Sequence, residues 1–450
     1  MFLEWSTELT RDRLASVPII NFLKLNNVSV YQYPFQNAFW SIDVVKPDIV
    51  VLMNTNGSLT SIDVARYAKN KGCVVISLFG EGNFQEERIE QFFFGHNKVY
   101  KEVLDDYRLV WSQRAKNLVD KHYQSRSSTT IFCGSTGADN YILASKLDNN
   151  IFDKYQRKKE DYELVLGIGC WDFGLLSEKD HRHEFVKNNI SVLEQKRILN
   201  DGTLFNKTLT QLVEHFSDIL FLVKEHPHKS KAVSDPSMIH GLDKYNNVVV
   251  LDQDESITDC IIASDIWLSY ESTTAMEAWI AGLSTGLLNP SGVNFESKWR
   301  ASVCTGQPNF QNFNEWKHAI NFYKKFGKLP SEDDYELIRK SILEDVFGYI
   351  DGLNHVRVGN FILKKAEEIN GNNIKTSTSL KSIIKLVIWK TSKKIKGFGL
   401  KGVFELLPSS FNIRPWDDFK AKSYENHIME KQKELYSRSK MTIESLKVLK

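Results

Sequence analysis

Cysteine is scarce: five in 450 residues, with no CxxC pair. Cys73, Cys133, Cys170, Cys260 and Cys304 are too scattered for a disulfide framework or a structural zinc site, and a reducing compartment fits them. No run of 18 or more apolar residues occurs, so no transmembrane helix is expected. The start, Met-Phe-Leu-Glu-Trp, reaches polar residues at once and lacks the basic and apolar stretches of a signal peptide. A dinucleotide fingerprint is also missing. The glycine-rich segment 163–174 (ELVLGIGCWDFG) has Gly167 and Gly169, but its next glycine is Gly174, so it departs from GxGxxG and NAD is not expected. No composition bias marks the chain as disordered: 42% of residues are hydrophobic and 25% charged, an ordinary globular balance.

What is present is length and a repeated rhythm. One core rarely grows past roughly 250–300 residues, so 450 residues imply two domains. Short β-branched runs alternate with helical patterns. Segments 28–33, 48–53, 72–79, 109–112 and 129–133 read as strands, with a helix over 58–70. A polar, charged stretch at 149–161 (NNIFDKYQRKKED) reads as a linker. A second series follows, with strands at 163–168, 218–223, 247–251, 265–270 and 284–288 and helices at 190–216, 256–263 and 274–281. Helical pattern dominates again from 314 to 370. Strand–helix–strand units imply parallel, doubly wound sheets. The expected layout is an α/β chain: a domain at 1–148, a linker at 149–161, a second domain at 162–330, helices at 331–372 packing back on the first domain, and a tail at 373–450.

The net charge of +2 hides an asymmetry. From Lys375 to Lys450 there are 17 Lys/Arg and 7 Asp/Glu, whereas the rest of the chain holds 41 and 49. Within this tail Leu380, Ile383, Ile384, Val387 and Ile388 share one helical face beside Trp389, with Lys381, Lys385, Lys390, Lys393, Lys394 and Lys396 supplying charge. That is the pattern of an interfacial basic helix, and its expected partner is an anionic inner-membrane surface. A core-packed helix with a solvated face is the plainer alternative. Few aromatics lie among the lysines, so nucleic acid is not the expected partner.

Two segments carry chemistry. In 221–228 (FLVKEHPH) an apolar strand ends in Lys224, Glu225, His226 and Pro227. Ligands of open α/β sheets bind beyond the carboxyl ends of the strands, where an imidazole can bond a phosphate. A strand-capping histidine is the structural alternative. In 263–282 (ASDIWLSYESTTAMEAWIAG) a strand runs into Ser272, Thr273 and Thr274, and a helix follows. Hydroxyls and free N–H groups at a helix start can hold a phosphate. Glu277, one turn on, can accept from ribose hydroxyls. The alternative is a capping box, with Thr273 or Thr274 as cap and Glu277 bonding backbone.

His-Pro after a strand, with Ser-Asp-Ile and Tyr-x-Ser-Thr-x-x-x-Glu-Ala some forty residues later, resembles the donor domain of a GT-B group. That group includes capsule and surface-polysaccharide proteins, Kdo transferases, bacterial sialyltransferases and teichoic-acid glycerophosphotransferases. The resemblance implies a metal-independent glycosyltransferase with two Rossmann-like domains facing a cleft and a helical C-terminal extension. It implies a nucleotide-sugar donor, CMP-linked in most characterised members, as substrate, with no cofactor. The donor phosphate would meet His226, Ser272 and Thr273, and Glu277 would match the glutamate near the ribose. The segment from Glu4 to Arg11, with Arg13, resembles the family's opening strand-to-helix turn. Gly80-Glu81-Gly82-Asn83 matches an acidic-glycine motif, and 131–139 (IFCGSTGAD) resembles the end of the first sheet. Gly80 stands where many sialyltransferases have a second acidic residue, which argues against that subgroup.

Glu81 is the candidate catalytic base, because a carboxylate projecting from a strand end and raised in pKa by partial burial suits that task. Arg11, Gly82 and Asn83 are candidates for the acceptor side, while Lys224, Thr274 and Gly169 join the nucleotide-binding set and His226 serves both roles. A surface glutamate is the alternative for Glu81. No metal is expected, since His181, His183, His226 and His228 have no matching Cys/Asp cluster. The pair Asp351 and Arg357 reads best as a structural ion pair, and Phe93 as core. Other outcomes kept open are a glycerophosphotransferase, a nucleotide-sugar 2-epimerase and a non-catalytic GT-B-like assembly protein. The expected location is cytoplasmic, peripheral on the inner membrane through the tail.

Overall fold

The structure, a computed structural model, describes residues 1–4, 11–55, 58–94, 103–123, 128–143, 151–171, 173–176, 191–225, 241–251, 255–293, 303–369, 429–430 and 432–433. The chain divides into two units. One comprises Met1–Leu143 and the chain from Glu344 onward, and the other comprises Ala144–Leu343.

The first unit holds a six-stranded sheet in the order β2-β1-β3-β4-β5-β6. Its strands are β1 (Phe2–Glu4), β2 (Gln32–Pro34), β3 (Ile49–Met53), β4 (Val74–Leu78), β5 (Tyr107–Val110) and β6 (Thr129–Phe132). Its helices are α1 (Arg11–Leu25), α2 (Ala38–Val45), α3 (Leu59–Asn70), α4 (Ile89–Phe94), α5 (Gln113–His122) and α6 (Asp139–Leu143). The second unit begins with α7 (Ile151–Lys154), inside the stretch read as a linker. Its five-stranded sheet has the order β11-β10-β7-β8-β9. These strands are β7 (Leu164–Gly169), β8 (Ile219–Lys224), β9 (Val248–Leu251), β10 (Ile266–Ser269) and β11 (Ser284–Leu287). They are covered by α8 (Val192–His215), α9 (Ile257–Ala263), α10 (Thr274–Ile280) and α11 (Phe313–Phe326). Helix α12 (Glu336–Phe347) contains the division between the units, and α13 (Asn354–Ile369) belongs to the first.

All strand pairings in both sheets are parallel. The sequence dictates this. β3 (IVVLM) and β8 (ILFLVK) are buried along their whole length, as strands with helices on both faces must be. Helix starts follow their caps: the Ser58, Ser112 and Ser191 hydroxyls accept from Ser61, Ala115 and Glu194 N–H groups. Ser112, expected to end a strand, is therefore a cap. β5 starts two residues earlier than expected because Arg108, a charged residue within the strand, is buried against Asp105. The first strand of that series is shifted as well: residues 28–31 lie outside β2, which is confined to Gln32–Pro34. Phe93 is core, stacked on Tyr123 at 4.6 Å between ring centroids, and Arg357 pairs with Asp351 at 2.5 Å.

Helix α1 contains Pro18, which cannot donate to the Leu14 carbonyl one turn back. A residue 126 positions away in sequence repairs this. The buried Asn140 Nδ2 donates to Leu14 O at 2.8 Å. Gln432 Nε2, from the C-terminal segment, donates to the Pro18 carbonyl at 3.0 Å. Helix α13 lies along α1, with Gly359 directly against Phe22. Removal of a buried partner costs about 1–3 kcal/mol, so Asn140→Ala should lower unfolding free energy by that amount in a urea titration. No change would mean that water replaces the amide at Leu14.

Candidate functional site

In the second sheet β7 lies between β10 and β8, so the winding direction reverses between β7 and β10. The carboxyl ends of those strands frame the crevice where open α/β sheets take ligands. Gly169 ends β7 and is register partner to both Lys224 of β8 and Ser269 of β10. The structure thus gathers Gly169, Lys224 and the segment after Ser269 at one edge. Lys224 is buried there, 7% exposed.

The loop after β10 is a set of hydroxyls fixed by one indole. Trp267, fully buried on β10, donates from Nε1 to Thr274 Oγ1 at 3.1 Å. Thr274 Oγ1 donates to Ser272 Oγ at 2.9 Å, and the Thr274 N–H points to the same oxygen at 3.3 Å. Ser272 is half-buried and Thr273 exposed. Ser272 is thus the residue that caps the first turn of α10. The Thr273 side chain makes no capping bond, so the capping box with Thr273 as cap does not form. Helix α10 has only seven residues, so the hydroxyls, more than a helix dipole, define this edge. Glu277 is buried, 9% exposed, one turn into the helix.

Gly169 has a reason of its own. A Cβ there would lie 2.6 Å from Thr274 Oγ1 and 2.9 Å from the Trp267 ring. Gly167 faces the same ring, its notional Cβ 2.5 Å from it. The two glycines make room for Trp267, which the glycine spacing alone did not reveal. Ser269, on the same strand face two residues after Trp267, has a fully buried hydroxyl with no hydrogen bond.

On the other face a buried polar network ties the loop down. Tyr270 OH donates to Asp201 Oδ2 at 2.9 Å, Ser291 Oγ donates to it at 2.8 Å, and Arg197 Nη1 at 2.9 Å. Asn289 Nδ2 reaches Glu271 Oε1 at 3.4 Å. Burial pushes the Tyr270 hydroxyl and the Asp201 carboxyl above their ordinary values. None of these anchors was expected. The Glu194, Arg197 and Asp201 spacing on α8 was the available signal, since charges three and four apart share a helix face.

In the first sheet the order reverses between β1 and β3. Arg11 opens α1 in the segment after β1. Asp12 packs its carboxylate directly against Gly80, in the loop after β4, and Arg13 is buried. The loop is clamped. Trp111 Nε1 donates to Phe79 O at 2.9 Å and the indole stacks on Phe347. A Cβ at Gly82 would fall 2.5 Å from that indole, so Gly82 makes room for Trp111. Asn83 Oδ1 accepts from Arg114 Nη2 at 2.6 Å, and Arg114 also bonds the Phe84 carbonyl and pairs with Asp345 at 2.7 Å. Asn83 is therefore engaged in holding the loop. Glu81 is exposed, so the partial burial expected of a tuned base is not what it has.

His226 lies outside the described residues, as do His181, His183, His228, the run 380–396 and Cys304's side chain. Among the described residues no group of three or more His, Cys, Asp or Glu side chains could hold a metal ion. No described helix is long and apolar enough to cross a membrane.

No protein-family model matches the chain, and no curated protein matches it. Solved structures do. A putative UDP-N-acetylglucosamine 2-epimerase from Listeria monocytogenes aligns over 84% of this chain and 98% of its own, with a TM-score of 0.51 and 12% identity. The S. aureus MnaA–UDP co-structure aligns over 84% and 98%, with a TM-score of 0.46 and 17% identity. The wall teichoic acid polymerase TagF aligns over 71% and 74%, with a TM-score of 0.44 and 11% identity. At such identities the likeness to the first of these is one of fold: two parallel, Rossmann-like α/β units of the GT-B type.

Proposed function

We propose that this chain is a GT-B glycosyltransferase that moves a sugar from a nucleotide donor, CMP-linked in preference, to a growing surface glycan or lipid-linked acceptor. The observation that carries the reading is the convergence of Gly169, Lys224 and the Ser272–Thr274 hydroxyls at the winding reversal of the second sheet. Ser272, Thr273 and His226 would hold the donor phosphate, with Lys224 and Glu277 completing the nucleotide site. In the transfer, the acceptor hydroxyl oxygen attacks the anomeric carbon as the bond from that carbon to the phosphate oxygen breaks. Glu81 takes the acceptor's proton. The charge left on the nucleotide phosphate is met by hydroxyl and N–H donors, the task a divalent metal performs elsewhere. Arg11 lies on the acceptor side, and the basic tail would hold the enzyme at the inner membrane.

One observation favours a second reading, a nucleotide-sugar 2-epimerase. That chemistry needs more than one acid/base group, and Asp12 adds a carboxylate beside the loop that carries Glu81. A glycerophosphotransferase would use the same donor edge.

Calorimetric titration of the full chain with CMP, CDP, UDP and GDP tests the reading. We expect cytidine-selective binding, weakened about 10-fold or more in Ser272→Ala and His226→Ala, since a hydrogen bond to a charged group contributes about 1.5–3 kcal/mol. Selective UDP or GDP binding would keep the enzyme class and change the donor. Absence of any nucleotide binding would favour a non-catalytic assembly protein.

A further inference from the structure

Ser272 has two inward partners and one outward possibility. An indole nitrogen only donates, so Thr274 Oγ1 must accept from Trp267. Thr274 then turns its own proton onto Ser272 Oγ, which also faces the Thr274 N–H. Both inward contacts of Ser272 use its oxygen as acceptor. Its own O–H is thereby left for a further acceptor. Donors in series polarise one another, so each link strengthens the next. Ser269, fully buried on the same strand face as Trp267, lacks a hydrogen bond and marks unmet polar capacity at the same spot.

We infer that Trp267 and Thr274 are positioning residues that fix Ser272 as a donor to an acceptor oxygen at this edge, a phosphate oxygen of the nucleotide. The inference rests on the nucleotide-binding reading above and adds the residues that orient its phosphate-binding hydroxyl. It does not draw on the field of α10, which is too short to supply one.

The test measures how much a phosphate adds to binding. The full chain is titrated with CMP, UMP, GMP and AMP and with the matching nucleosides, as wild type and as Thr274→Val, Thr274→Ser and Trp267→Phe. For the nucleotide that binds wild type, Thr274→Val should lose about 10-fold in affinity while its nucleoside binds as before. Thr274→Ser keeps a hydroxyl at the same place and should restore the loss. Trp267→Phe removes the indole donor and should also lose nucleotide affinity, although it gives up the benzo-ring packing on Gly167 and Gly169 as well. Should the core substitution fail to fold, the two Thr274 variants decide alone. Equal losses for nucleotide and nucleoside, or a Thr274→Val variant that binds as wild type does, would overturn the relay and leave the nucleotide reading standing. A wild type that binds none of the four monophosphates, nor CDP, UDP or GDP, overturns both.

Discussion

Replacing Asp139 with alanine should destabilise the first unit by about 3–5 kcal/mol, a loss as large as that of truncating a buried aromatic ring. Asp139 and His355 are both fully buried. Asp139 Oδ2 accepts from the His355 N–H at 2.7 Å and faces its Nδ1 at 2.8 Å, while Oδ1 accepts from Asn354 Nδ2 at 2.9 Å. Alanine would strand these groups together, where no water reaches. Asn354 also donates to the Ser135 and Tyr349 carbonyls, and Gly134, at φ +85°, packs directly against it. The cluster therefore pins the start of α13, where the chain has come back to the first sheet. Asp139→Asn has one acceptor oxygen in place of two and should lose at least half as much. Urea unfolding measures both. Losses under about 1 kcal/mol would mean that α13 is held by its apolar face alone.

The second large effect is a pH dependence at Asp105. This carboxyl is fully buried, and burial pushes it up to about 6, against the pull of Arg108. Ser128 Oγ and Thr55 Oγ1 donate to it at 2.7 and 3.1 Å, and Arg108 lies 3.4 Å away. A folded pKa above the unfolded one means that Asp105 contributes stability below about pH 4, and that this contribution is lost as pH rises through 6. A shift of this size corresponds to about 3 kcal/mol over the window. Asp105→Asn does not titrate. Its stability relative to wild type should therefore rise by up to that amount between pH 4 and pH 7, whatever constant offset the altered Arg108 pairing adds. Parallel stability curves for the two proteins would show that Arg108 cancels the burial and that Asp105 ionises normally.

Legibility in the sequence followed physical range. The doubly wound pattern was readable because strands buried on both faces leave continuous apolar runs, as in β3, β4, β7 and β8. Helix caps such as Ser58 and Ser191 act within three residues, so those starts were readable as well. What depends on distant partners was not. Pro18 obscures α1, and its repair by Asn140 comes from the far end of the same unit. The start of β5 was hidden by Arg108, whose burial makes sense only once Asp105 and Ser128 surround it.

At the candidate site the residues were readable more than their reasons. Gly169 and Gly82 were read as nucleotide-side and acceptor-side residues, and each makes room for an indole, Trp267 and Trp111. Ser272 and Thr274 were read as phosphate ligands of one kind. The indole of Trp267 makes them unequal, with Thr274 directed inward and Ser272 left as donor. Glu81 was expected to be partly buried, and it is exposed instead.

The most direct test of the central claim is hydrogen exchange of the full chain with and without a saturating nucleoside monophosphate. The account predicts slowed exchange over residues 167–171 and 269–277, the two strand ends that frame the winding reversal of the second sheet. Protection confined to the loop after β4 in the first unit, with residues 269–277 exchanging as before, would contradict it.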